Sequence, residues 1–179
     1  MRLSASLLLL LGLLLTPVIS RAQPAQPSEH QIKAAFIFNF AKFVEWPVAA
    51  FTNPATPMVV GVLGENPFGP DLEAAIRNKF INQHPLEVNT FVEPAAATNC
   101  HILFISRSEK KRLPEILQAL SSLGVLTVSE MDGFIEAGGM INFVKDNNKI
   151  RFQINEPVAK KSGFKISSKL LSLAVPSTR

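Results

Sequence analysis

The sequence predicts a single α/β domain built on a mostly parallel sheet of about four strands, with helices on both faces and a C-terminal antiparallel hairpin extending it. Through the middle of the chain, short apolar runs alternate with helix-patterned segments, which implies parallel strands joined by right-handed crossovers. Near residue 140 the pattern changes to two adjacent runs separated by a turn, the second alternating apolar and polar residues. A third observation sets the scale: 179 residues that are 47% hydrophobic and 18% charged fit one buried core and exclude a disordered chain.

Arg2 precedes an unbroken apolar stretch from Leu7 to Leu15, followed by Pro17, Ser20 and Ala22. A comfortable membrane span needs roughly 20 residues, so residues 1–22 read as a secretory signal peptide cleaved after Ala22. Residues 23–28 hold two prolines and no large apolar side chain, which makes them a flexible leader. The folded domain is expected over 29–175.

A first helix is expected from Glu29 to Trp46, capped by Ser28 and stopped by Pro47. At 100° per residue, Ile32, Ala34, Phe36, Ile37, Phe40, Ala41, Phe43 and Val44 cover more than half of its circumference. That is wider than the stripe of a surface helix, so this helix lies deep against the domain, with Lys33 at the edge of the arc. The narrow opposite face carries Gln31, Lys42 and Glu45 together with Phe38, flanked by Asn39 and Trp46.

Strands follow at Met58–Leu63, Leu86–Phe91, His101–Ser106 and Val125–Ser129. Between the first two, a helix is expected from about Gly69 or Pro70 to Lys79; between the last two, another has Pro114 in its first turn and Gly124 beyond its end. Met140–Lys145 and Lys149–Ile154 form the hairpin, joined by Asp146-Asn147-Asn148, whose side chains favour tight turns. Two short helices finish the domain. Asn155 caps one that ends at Gly163, and Ser167 caps the other, Lys169 to Ala174.

The charge balance argues against nucleic acid. Lys and Arg number 18 against 14 Asp and Glu, and loss of Arg2 and Arg21 with the signal peptide leaves 16 against 14. The distribution is uneven, with eight basic and two acidic residues from Lys145 onward. Isolated surface lysines need no partner, yet an exported protein can turn such a region toward anionic headgroups or an acidic protein.

The residues that carry chemistry are sparse. No Gly-x-Ser-x-Gly elbow or His-Glu-x-x-His pair appears, and His30, His84 and His101 are far apart. Cys100 and His101 are adjacent on a strand, where successive side chains point to opposite faces, so they do not share a metal. No catalytic residue, cofactor or metal site is expected. A lone cysteine cannot pair within its own chain, and Cys100 reads as a buried, inert strand residue. Gly61 to Gly69 lacks the Lys-Ser/Thr of a phosphate loop and reads as a tight strand-to-helix turn. Its position still matters, because open α/β sheets bind ligands at the carboxyl ends of their strands. Gly64, Glu65 and Asn66, with Ser106 and Arg107 from another strand end, are placed to line such a crevice.

The polar face of the first helix gives a second candidate. An aromatic residue in a charged rim is the composition of an interaction hot spot. Phe38, Lys42, Glu45 and Trp46 are therefore candidates for a protein contact, either with a second copy of the chain or with a membrane signalling protein. The alternative is that an element of the same chain covers Phe38, such as the C-terminal helix with Leu170, Leu171 and Leu173.

The helix from His30 through Trp46-Pro47 resembles the opening motif of the YfiR family of exported bacterial proteins. Further stretches are similar to the same family: Val60 to Gly64, Asn66 to Gly69, Leu126 to Ser129, and the tail from Gly138-Gly139-Met140-Ile141 through Arg151-Phe152, Ile154-Asn155 and Gly163 to Leu171. The resemblance implies a periplasmic repressor that acts on the periplasmic domain of an inner-membrane diguanylate cyclase, with effects on cyclic-di-GMP and biofilm. It implies relief of repression by an outer-membrane lipoprotein that sequesters the repressor. It brings no agreed catalytic or ligand-binding residues. Close relatives carry cysteine pairs that form disulfides; with Cys100 alone, this chain has no such intramolecular control.

Overall fold

In the computed structural model, described residues are 26–47, 50–51, 53 and 56–177. The expected signal peptide and the leader residues 23–25 lie outside them. The first helix, α1, spans Glu29–Phe43. Ser28 and Gln31 cap it reciprocally: Ser28 Oγ accepts from the Gln31 N–H at 3.1 Å, and Gln31 Oε1 accepts from the Ser28 N–H at 3.0 Å. The helix ends three residues before the expected Trp46, because Val44 turns extended and begins a strand, β1 (Val44–Glu45), paired antiparallel with Lys165–Ile166. Val44 is β-branched and fits that geometry better than a helix end.

The elements that follow are β2 (Met58–Leu63), α2 (Asp71–Ile76), β3 (Phe80–Ile81), β4 (His84–Phe91), β5 (Ile102–Ile105), α3 (Leu113–Leu120), β6 (Leu126–Ser129), β7 (Ile141–Asp146), β8 (Lys149–Ile154), α4 (Glu156–Lys161), β9 (Lys165–Ile166) and α5 (Ser168–Leu171). Single 3-10 segments, Pro94–Asn99 and Arg107–Arg112, precede β5 and α3. The main sheet runs β3-β4-β2-β5-β6-β7-β8. Strands β4, β2, β5, β6 and β7 are mutually parallel, and β3 and β8 are antiparallel edges. The parallel part is thus one strand wider than expected: β7 belongs to the hairpin and also pairs in parallel with β6, Val128 opposite Ile141.

Helices cover both faces. Side chains of β5 alternate between two cores, Ile102 and Phe104 toward α1 and α2, Leu103 and Ile105 toward α3, as a strand buried on both faces requires. The α1 side carries the larger core. There Phe40 lies edge-on to Phe152 at 5.1 Å and stacks on Phe143 at 5.7 Å, with Phe36 also edge-on to Phe152 at 5.2 Å. The α3 side is filled by Leu113, Ile116, Leu120, Met131 and Phe134. The connection after β2 runs through α2 on one face toward β4, and that after β5 runs through α3 on the other face toward β6, so the direction of strand progression reverses between β2 and β5.

Cys100 is buried and burial pushes its thiol up to about 12. It packs where Gly61 leaves room: a Cβ on Gly61 would stand 2.6 Å from Cys100 Sγ and 2.7 Å from Leu103 Cδ1. Gly61→Ala is therefore expected to lower unfolding stability by about 1–3 kcal/mol through overpacking. Adding Cys100→Ala should recover part of that loss in a double-mutant cycle read by urea denaturation. Strictly additive losses would show that the two residues do not share this space.

Candidate functional site

The two groups of residues singled out in the sequence lie at opposite ends of the sheet, because α1 runs antiparallel to the central strands. Its first turn meets the strand carboxyl ends through Lys33 and Glu130, and its last turn meets the strand starts at Met58 and His84.

At the carboxyl end, the structure brings Gly64, Glu65, Ser106 and Arg107 to the point where the strand order reverses. The chain itself occupies that point. Gly64 has φ +85°, and a side chain there would collide with Ser108 Oγ. The Glu65 N–H donates to Ser108 Oγ at 3.1 Å, the Ser106 N–H donates to the Leu63 carbonyl at 3.0 Å, and the Phe68 N–H donates to Asn66 Oδ1 at 2.9 Å. The 3-10 segment Arg107–Arg112 thus folds its Ser108 and Glu109 over the crevice, and the glycine-bearing loop is the tight turn the sequence suggested.

Beside it runs a chain of alternating charges that sequence reading did not find. Arg107 Nε lies 3.4 Å from Glu130 Oε1; Glu130 Oε2 bonds Lys33; Lys33 bonds Glu29 Oε1; and Glu29 Oε2 lies 3.6 Å from Lys145. The Lys33 side chain is only 5% exposed and that of Glu130 14%. The hydrogen bond from Lys33 holds the Glu29 carboxyl below its ordinary range, burial opposing it in part. The sequence places Lys33 only at the edge of an apolar arc; the fold shows the acid, Glu130, waiting at the end of β6. The ions border a cleft of about 260 Å³ with Phe143, Val144 and Ile150.

At the amino end, Lys42, Glu45 and Trp46 share a cleft of about 350 Å³ whose apolar walls are Phe43, Val44, Pro47, Phe51, Met58 and Ile81, with Asn82, His84 and Ser167 among its polar groups. Trp46 lies edge-on to Phe164 at 5.9 Å, and its buried Nε1 has no hydrogen-bond partner. Glu45 pairs loosely with Lys165 at 3.7 Å across the β1–β9 pair. Lys42 and Lys169 stand over the Phe43 ring at 5.4 and 5.2 Å. Phe38 is apart from these three. It is covered by α2 and by Lys79, whose Nζ is 4.1 Å from its ring, and it is α2, not the C-terminal helix, that flanks it.

The cleft floor holds a three-ring stack. Phe51 lies between His84 and His101, with centroids 4.0 and 4.4 Å away and planes within 20° and 12°. The two histidines stand at the starts of β4 and β5, which flank β2; strands two apart are separated by about 9.6 Å, room for one ring between two. The Val59 N–H donates to His101 Nδ1 at 3.1 Å, so the ring proton is on Nε2 and donates to the Ala50 carbonyl, also at 3.1 Å. The bond from Val59 needs a neutral imidazole, because a protonated ring has no acceptor nitrogen; the bond to Ala50 does not. Burial holds the His101 pKa below its ordinary value, the Ala50 bond opposes that shift, and His84 reinforces it. Among the described residues no group of three or more His, Cys, Asp or Glu is placed to hold a metal.

A family model described as YfiR/HmsC-like matches residues 30–175. Among solved structures, the chain is similar to a conserved domain protein from Vibrio cholerae O1 biovar El Tor, with a TM-score of 0.56 and 11% identity over 84% of this chain and 60% of that one. It is also similar to an ABC domain in complex with L-Trp from Streptococcus pneumonia, with a TM-score of 0.48 and 12% identity over 71% of this chain and 56% of that one. The chain therefore spans about 60% of the length of the first, and at this identity the likeness is one of fold. No curated protein matches the chain in sequence.

Two predictions follow from the charged and ring clusters. Lys33→Met should cost about 2 kcal/mol or more, since it strands a mostly buried carboxylate, whereas Arg107→Ala, removing an exposed link, should cost under about 1 kcal/mol; urea unfolding of both variants checks the order. His101 has a folded pKa below its unfolded value of roughly 6.5, so its contribution is full above that pH and is lost as pH falls toward the folded value. Unfolding free energy should decline from pH 7.5 to 5 more steeply in the native protein than in His101→Gln, and equal slopes would contradict this assignment.

Proposed function

The chain belongs to the YfiR/HmsC-like family, and from that premise we propose that it is an exported regulator that binds the periplasmic domain of an inner-membrane diguanylate cyclase or histidine kinase and represses it. The observation that carries this reading is the reach of the family match, residues 30–175, which includes nearly all of α1 and every later element. No helix among the described residues is long and apolar enough to cross a membrane. In this reading residues 1–22 serve as the signal peptide, a cyclic-di-GMP-dependent trait such as biofilm is the output, and an outer-membrane lipoprotein acts as the antagonist.

The contact surface in this proposal is the amino-end cleft. Lys42 and Glu45 are exposed charges of opposite sign beside the apolar walls of Phe43, Trp46 and Phe51, the pattern of a polar rim around an apolar centre. A second reading rests on the same cleft: about 350 Å³ lies within the range of small-molecule sites, so a small effector with an apolar body is the alternative occupant.

The test is crosslinking of the tagged protein, expressed at its native level, in the intact envelope, followed by identification of the adduct. The proposal expects a membrane cyclase or kinase with a periplasmic domain, and expects Lys42→Glu with Glu45→Lys to weaken capture at least about tenfold while leaving the fold intact. Capture of transport components alone, or of the cyclase with undiminished yield from the double variant, would contradict the function or the surface respectively.

A further inference from the structure

A cleft of about 450 Å³ lies between α3 and α4, over the starts of β6 and β7, and the regulatory reading makes no use of it. It exists because α3 commits one stripe to the core and leaves the next one free. Leu113, Ile116 and Leu120 are buried, whereas Pro114, Leu117, Gln118 and Ser121, at helical spacing beside them, form one wall of the cleft. Val158 and Lys161 of α4 form another wall, and Thr127 and Met140 the floor. Gly138, at φ +99°, borders this space without filling it: a Cβ there would meet nothing within 4 Å. The volume lies within the range of small-molecule sites and exceeds that of the amino-end cleft.

The polar groups left in this space are chiefly hydrogen-bond donors. Thr127 is buried, and its Oγ1 accepts from the Met140 N–H at 3.1 Å. Its own proton finds no acceptor among the described residues and is free to donate. Lys161 is exposed, is the one charged residue on the lining, and pairs with no carboxylate among the described residues. The side chains of Gln118 and Ser162 make no hydrogen bond there either. One cation and a buried hydroxyl donor among apolar walls suit a single negative charge that accepts without donating, which is a carboxylate. A phosphate would bring close to two charges to one lysine, and an amine would meet Lys161 as a like charge. We infer that the α3–α4 cleft binds a small monocarboxylate with an apolar body, its charge drawn by Lys161 and its body lying along Leu117, Met140 and Val158.

Methionine methyl resonances test this, because Met140 lines this cleft and Met58 the amino-end one. The mature protein, isotope-labelled at its methionine methyls, is titrated with decanoate, decanol and decylamine, each below its micellar concentration. Decanoate is expected to shift Met140 and leave Met58 in place, and decylamine to bind at least about tenfold more weakly, its charge repelled by Lys161. Lys161→Glu, an exposed change in the last turn of α4, should keep the wild-type circular dichroism, weaken decanoate at least about tenfold and leave decanol unchanged. Absence of decanoate binding, a shift of Met58 in place of Met140, equal affinities for acid and amine, or undiminished decanoate binding in Lys161→Glu would overturn the inference. None of these results depends on the membrane partner, so failure here is separable from failure of the regulatory reading.

Discussion

Phe36 and Phe40 of α1 pack on Phe143 of β7 and Phe152 of β8, and this contact joins the start of the chain to its last sheet hairpin. It closes a loop of more than a hundred residues. The closure is costly in chain entropy, and it is met by burying four aromatic rings whose edge-on and offset geometries add to the area they remove from water. The two most specific sequence signatures, the opening helix and the tail, are thus two halves of one contact. The hairpin in turn carries α4, β9 and α5, so the helix, the tail and the sheet stand or fall together.

Each end of α1 is then fixed by a different chemistry. Near its start the clamp is ionic, Lys33 between Glu29 and Glu130, a mostly buried arrangement that stabilises little in itself but is costly to break. At its finish the clamp is made by the backbone: Val44 pairs with Ile166, and the Ser167 N–H donates to the Phe43 carbonyl at 3.1 Å. Beside the ionic end, Ser108 and Glu109 fill the crevice between β2 and β5 and leave only the smaller cleft of about 260 Å³ along the ions. The other end is open, with Lys42, Glu45 and Trp46 around a cleft. The more open cleft therefore lies at the amino end of the sheet, away from the carboxyl end where ligands of open α/β sheets usually lie.

The architecture was legible because periodicity reports burial, and burial here is nearly complete along β2, β5 and β6. The parallel pairing of β7 was not, because residues 130–140 connect β6 to it without a helical pattern to announce a crossover; Met131 and Phe134 do the covering from a loop. The 3-10 segment Arg107–Arg112 has no buried residue and so leaves no apolar signal, yet it closes the expected crevice. Three of the four partner candidates share a cleft because they sit close together where α1 gives way to β1, whereas Phe38 is drawn into the groove of α2, a neighbour that helical angle alone does not reveal. Lys33 and the His84–Phe51–His101 stack were illegible for a common reason: each depends on partners from distant strands, and a residue type at one position says nothing of what stands across the sheet.

Native-state hydrogen exchange tests most directly the claim that α1 is seated as part of the sheet's cooperative unit. If the aromatic contact and both clamps act together, the amides of Ile37, Phe40 and Ala41 exchange only through global unfolding, with the same free energy and denaturant dependence as those of Phe143 and Phe152. Exchange of α1 through a smaller opening, while β2 and β5 keep full protection, would contradict the account and make the helix a separable element laid on a finished core.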